Sequence, residues 1–361
     1  MLAVENHIIY LSKMSRLFFK QRSQLDFALR KSRIAGFTLI ELLVAMLIGG
    51  IISSALLFLV VQLLQTNLRE AARSDTQRDL QGAIDYITRD LREAVYVYDG
   101  ACLDDPLDTT VCPGLKNYLP ARISKATDNV PVLAFWRVDR IPPGLETACT
   151  DNANAFSTST LPPAIQGVPC LAGRMYTLVV YSLNWSSGTS WRGRARITRY
   201  ELPQFPYRAT TPNDISAGWA DPTSSETDFM RWPLDKARFT AGERVPIKPI
   251  NPGDTPGGTD NRVLVDFVDK QGIYPTNAGD NATCPTDYIK TPQSPAGNAR
   301  GFYVCVRGAA NGAMLNQEVL VRIHGDAAGR PGIPPGDPTK PQVPIALETR
   351  VLTRGVVNKT Q

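Results

Sequence analysis

Histidine is almost missing from this chain of 361 residues, which has two, His7 and His324. His7 sits in a basic leader, and His324 follows a strand-like run, where a surface imidazole is the plain reading. A Ser/His/Asp triad would have to use His324, with no signature around it. H-E-x-x-H, the P-loop, G-x-S-x-G and G-x-G-x-x-G are all lacking, as is C-x-x-C, so the usual hydrolase, nucleotide, redox and zinc-ribbon patterns find no foothold. The loops TDNANAF (150–156) and AGDNATC (278–284) hold oxygen ligands without the spacing or closing glutamate of an EF-hand, and read as solvated turns. The expectation is a protein that is not an enzyme, with no metal and no cofactor.

Basic patches are lacking too, once position is considered. Of 39 basic and 34 acidic side chains, residues 1–36 hold seven (Lys13, Arg16, Lys20, Arg22, Arg30, Lys31, Arg33) and two (Glu5, Asp26). The remainder is formally neutral, and it contains no basic surface with interleaved aromatics. Nucleic acid is not an expected partner. Met14 is an alternative start that leaves a shorter leader with six of the seven cations.

Proline is absent between Phe37 and Pro106, and charge is absent from Leu42 to Val61. Those twenty residues, at 1.5 Å each, form a helix of roughly 30 Å, the thickness of a bilayer's hydrocarbon core. A signal-peptide core of about 7–15 residues is shorter than this. The leading cations hold the N-terminal side in the cytoplasm and predict export of the chain beyond the apolar run. One carboxylate, Glu41, stands just before the run. A charge at the centre of a membrane helix costs roughly 2.5–3.5 kcal/mol on insertion scales, less near an end, and usually marks a function. A local explanation competes: Thr38-Leu39-Ile40-Glu41 fits a capping box, in which the glutamate reaches back to the first amide.

Capping leaves the surroundings unexplained. Gly36-Phe37-Thr38-Leu39-Ile40-Glu41, after a basic leader and before the apolar run, resembles the class III signal of type IV pilins and pseudopilins. The resemblance implies cleavage between Gly36 and Phe37 by a prepilin peptidase, N-methylation of Phe37, and pairing of Glu41 with the Phe37 amine of a neighbouring subunit. Implied partners are the prepilin peptidase, other pilins and minor pilins through the N-terminal helix, and an inner-membrane assembly platform. The implied location is a single pass through the inner membrane with the head outside, then a filament. The leader, at 36 residues, is long for the family.

The chain thus reads as four regions: a leader (1–36), the transmembrane half of a helix (37–64), its amphipathic half (65–98) and a β-rich head (99–361). Leu80, Ile84, Ile87, Leu91, Ala94 and Tyr98 recur at 4-3-4-3-4 spacing and predict one apolar stripe. Charged residues including Asp85, Arg89, Asp90 and Glu93 fall mostly on the other faces. The stripe is too short for a coiled coil and predicts packing on a sheet. Strand-like runs occur at 130–138, 175–183, 194–202, 262–268, 301–306, 318–325 and 345–353. The fold class is therefore α+β, a long N-terminal helix against an antiparallel sheet with long loops. The spacers 203–261 and 326–344 read as surface excursions. The tryptophans in ISAGWADP and MRWPL either form a sugar- or partner-binding surface or lie buried under a loop.

All six cysteines, Cys102, Cys112, Cys149, Cys170, Cys284 and Cys305, fall in the head. In an oxidising space an even number suggests disulfides, and sequential neighbours would each close a short loop; six free thiols are the alternative. The helix and strand-rich head are similar to PilW-like minor pilins, and the C-terminal LETRVLTRGVVNK resembles pseudopilins of hormogonium polysaccharide secretion. The function implied is a minor pilin that primes or tips a type IV pilus. The alternatives are a pseudopilin of type II or polysaccharide secretion, and a tip adhesin whose head binds carbohydrate.

Overall fold

The computed structural model describes residues 36–104, 112–124, 128–151, 170, 172–186, 190–248, 259–270, 283–293, 301–307, 316–336 and 342–354. The leader, His7, Met14, most of both candidate calcium loops and the end of LETRVLTRGVVNK lie outside these residues. The chain divides into two units between Leu63 and Leu64. Helix α1 (Leu39–Arg92) begins in the first and ends in the second. Its polarity suits the helix dipole, with Glu41 in the first turn and Arg89 and Arg92 in the last.

In the second unit, Leu80, Ala83, Ile84, Ile87 and Leu91 of α1 are buried, as the stripe requires. The stripe's last two members are not helical, which corrects the span 65–98. The helix stops at Arg92, and Ala94–Val97 form strand β1. AVYV is rich in β-branched and aromatic residues, and pairing with a waiting strand outweighs one more helical turn. Tyr98 comes after β1, buried, with its backbone amide donating to Ala134 O at 2.9 Å.

The other strands are β2 (Asn129–Arg140), β3 (Arg174–Asn184), β4 (Ala195–Pro203), β5 (Thr259–Val268), β6 (Ile289–Thr291), β7 (Phe302–Arg307), β8 (Glu318–Gly325) and β9 (Ile345–Leu352). All seven strand-like runs of the sequence are strands; β1 and the short β6 are additions. Pairing is antiparallel throughout, in the order β1-β2-β3-β4-β5-β8-β7-β6, with β9 also on β8. β5 meets β8 only at Val268 and Gly325, so the sheet splays there. The Gln317 carboxamide accepts from Val97 N and donates to Val97 O, both at 2.8 Å, filling the open edge of β1 as a strand would.

Both faces of the central strands are covered, which explains their unbroken apolar runs. Val179, Tyr181 and Leu183 of β3, with Leu133 and Phe135 of β2, face the α1 stripe. Leu178 and Val180 of β3, with Ala134 and Trp136 of β2, face a second layer made by the excursions. Segment 203–261 is thus more than a surface loop where it is described: Trp219, Phe229 and Trp232 fill that layer, and Trp232 Nε1 donates to Ala220 O at 2.9 Å. The segment after β8 is likewise pinned. Ala327 and Ile333 pack on Ala72, and Gly332, at φ +82°, passes so close to Leu68 that a β-carbon would collide with it.

Asp90 overturns its expected place on a solvated face. It is buried at the end of the stripe, where the sheet presents Arg137, Tyr181 and Arg199 on the same face as Phe135 and Ile197. Arg137 Nη1 lies 2.6 Å from Asp90 Oδ1; Arg199 Nε and the Tyr181 hydroxyl donate to Oδ2 at 2.9 and 2.7 Å. Glu201 Oε1 lies 3.1 Å from Arg137 Nη2 and 2.6 Å from Arg199 Nη1, and Asp139 Oδ2 also accepts from Arg137 Nη2, at 2.9 Å. Burial works against charge on either guanidinium. The carboxylates outweigh it, Asp139 and Asp90 for Arg137, Glu201 and Asp90 for Arg199, and raise both above the ordinary arginine range.

The cysteines form three disulfides, Cys102–Cys112, Cys149–Cys170 and Cys284–Cys305. Asp99, Cys102 and Cys112 lie close enough to suggest a metal, but the sulfurs are bonded to each other. The Asp99 carboxylate caps the short helix Gly100–Leu103, accepting from Cys102 N at 2.9 Å.

Candidate functional site

The site is built at the first turn of α1. Gly36, Phe37 and Thr38 precede the helix in non-helical backbone. Thr38 is its entry residue: Thr38 O accepts from Glu41 N and Leu42 N at 3.1 and 3.2 Å, and Thr38 Oγ1 accepts from Glu41 N at 3.4 Å. This is half of a capping box. The returning half is missing, for among the described residues the Glu41 carboxylate has neither a hydrogen bond nor an ion pair. Capping therefore accounts for Thr38 and leaves Glu41 without a local task.

The surroundings sharpen that result. Every described residue from Gly36 to Ala71 is exposed, and Phe37 is 75% accessible. No residue between Leu42 and Val61 carries charge to meet water. α1 is long and apolar enough to cross a membrane, and its apolar window has none of its surface buried within the chain. An all-round hydrophobic helix of this kind is stable only in lipid or against other helices. Gly36 is unconfined, with nothing near the position a β-carbon would occupy. No packing among the described residues explains a glycine there.

Glu41 follows Phe37 by four positions and stands in the first turn of α1. The cysteines take no part in this site; all three bridges belong to the second unit, where Cys102 and Cys305 are buried. His324 lies within β8, opposite Ala346, and packs edge-on to Tyr303 at 6.1 Å. The tryptophans of ISAGWADP and MRWPL, Trp219 and Trp232, are 3% and 1% exposed and so form core, not surface. The exposed indole is Trp191, in the polar run SSGTSWRGR between β3 and β4. An aromatic with no apolar neighbours in sequence was the available signal for it.

Residues 31–57 match the family model described as the prokaryotic N-terminal methylation motif, a stretch that contains Gly36, Phe37 and Glu41. No curated protein and no solved structure matches the chain. The methylation motif, continued by an exposed apolar helix, supports a type IV pilin or pseudopilin character for this N-terminal segment and processing by a prepilin peptidase.

Proposed function

We propose that the protein is a minor pilin, a structural subunit with no catalytic role, of the PilW-like kind. The peptidase cuts between Gly36 and Phe37 at the cytoplasmic face, and the new Phe37 amine is methylated. The head stands outside the cytoplasm until the assembly platform draws α1 from lipid into a bundle of like helices. Glu41 then pairs with the Phe37 amine of a neighbouring pilin. Opposite charges attract far more strongly in such a bundle than in water. A wrong stagger leaves a carboxylate buried and alone, which is strongly unfavourable. The pair thus sets the axial register. A head as large as Leu64–Gln361 is best accommodated at the filament's end, as a priming or tip subunit.

The observation that carries this reading is the Glu41 carboxylate, unengaged among the described residues, four positions after Phe37 on a helix that buries no residue before Ala72. N-terminal sequencing of the protein extracted from membranes tests it. The expected first residue is N-methylated phenylalanine at position 37; any other mature terminus removes the proposed pairing.

A further inference from the structure

Where β5 parts from β8, the sheet and α1 leave between them an open cavity of about 660 Å³. Its size is that of a small-ligand site. Gly82 forms part of its floor. A glycine inside a helix costs about 1 kcal/mol relative to alanine, and here no neighbour demands it, since nothing lies within 4 Å of where its β-carbon would be. What the missing side chain contributes is depth.

Three arginines line the cavity: Arg78, Arg192 and Arg330. The Arg192 guanidinium has no hydrogen bond or ion pair among the described residues. Arg78 has only an exposed partner, Asp75, at 3.9 Å. Arg330 stacks on Phe267, 4.1 Å from the ring centroid, and pairs with Asp79, while its buried Nε has no acceptor. The cavity's two carboxylates are engaged, although the buried Asp266 Oδ1 has only Arg196 Nε, 3.8 Å away. Asp79 holds Arg330, and Asp266 Oδ2 accepts from the backbone of Arg192 and Gly193 at 3.1 and 2.9 Å. Donors and positive charge are in surplus. Two aromatics flank them, Tyr86 at 40% and Trp191 at 44% exposure.

We propose that this cavity binds an acidic oligosaccharide, one whose pyranose rings carry carboxylates. Planar guanidiniums take a carboxylate through two parallel hydrogen bonds. An exposed indole or phenol offers an apolar face to a sugar ring and a polar tip to its hydroxyls. An acidic peptide fits less well, because strand addition needs a regular edge. At this edge Phe267 turns to φ +63° and breaks the extended run of β5. The inference uses the export proposed above only for access to ligand, and its test is independent of filament assembly.

Full-length protein in detergent is titrated calorimetrically with trigalacturonate, with neutral maltotriose and hexaglutamate as comparisons. Saturable binding of trigalacturonate is expected, with weaker binding of the other two. Arg192→Ala weakens it roughly ten- to a hundredfold, the range of a charge-assisted hydrogen bond, and Trp191→Ala, which removes the apolar face, weakens it roughly tenfold. Gly82→Leu, which fills open space and favours the helix, abolishes it. All three variants keep the parent's thermal melt, as their positions are exposed or uncrowded; Arg192→Lys and Trp191→Phe serve if one does not. No saturable binding at roughly millimolar trigalacturonate, equal or tighter binding of hexaglutamate, or variants that bind like the parent would overturn the proposal.

Discussion

Asp90, two residues before the end of α1, lies 2.6 Å from Arg137 of β2, and this pair fastens the helix to the sheet at the one place where the apolar stripe ends. Arg199 and Tyr181 complete the enclosure. Removing one partner of a buried pair leaves the other charge uncompensated, which costs about 3–5 kcal/mol. Asp90→Ala is therefore expected to lower the unfolding free energy by about that amount, measured by urea denaturation in detergent. A loss under roughly 0.5 kcal/mol would show the arginines to be satisfied by Glu201 and Asp139 alone.

Glu41 is the opposite case, a carboxylate with no partner among the described residues of its own chain. Glu41→Ala and Glu41→Gln are both expected to be cleaved and to remain in the membrane fraction. Both are expected to be lost from sheared filaments. Immunoblots of the two fractions check this. Normal incorporation of Glu41→Gln would show that the negative charge is not what sets the stagger.

Cys305 of β7 is bridged across to Cys284, closing a loop whose ends are 21 residues apart. A bridge of that span stabilises by about 3 kcal/mol through the unfolded chain. Alkylation of the denatured, unreduced protein is expected to label no cysteine. The double change Cys284→Ala with Cys305→Ala should lower the melting temperature without altering the other two bridges. Labelling before reduction would dissolve this account of the head.

Asp99 gives a pH signature. Burial raises its carboxyl above the ordinary value, against the two backbone amides that favour the charged form. The folded protein then holds this proton more tightly than the unfolded one. Stability from this group is present below the unfolded pKa, near 4, and is lost as pH rises through the higher folded value. Asp99→Asn keeps an acceptor for Cys102 N and removes the titration. The variant should gain on the parent between about pH 3 and pH 7, in paired urea melts. A constant difference across that range would locate the effect elsewhere.

The local periodicities of this sequence were legible where one physical demand dominated. Strand-like runs marked β2, β3, β4, β5, β7, β8 and β9, and the spacing of Leu80 to Leu91 marked the buried side of α1. The reading failed where two demands competed. Ala94 and Tyr98 keep the helical spacing, but Val95, Tyr96 and Val97 between them suit a strand, and the partner that decides it lies far along the chain in β2. Asp90 looked solvated because nothing nearby in sequence announces Arg137 and Arg199. Trp219 and Trp232 occur in loops, and only the bare outer face of β2 and β3 explains their burial. The methylation motif was legible at once, since Gly36-Phe37-Thr38-Leu39-Ile40-Glu41 is one continuous stretch and owes nothing to distant contacts.

Only Glu93 separates the end of α1 from the start of β1. The join has no slack. Tension applied along the helix falls first on the buried stripe from Ala72 to Leu91 and the arginines around Asp90, and then passes to the β1–β2 ladder and the Gln317 carboxamide before any loop can pay out. A subunit hauled by its tail would spread its load over that whole seam.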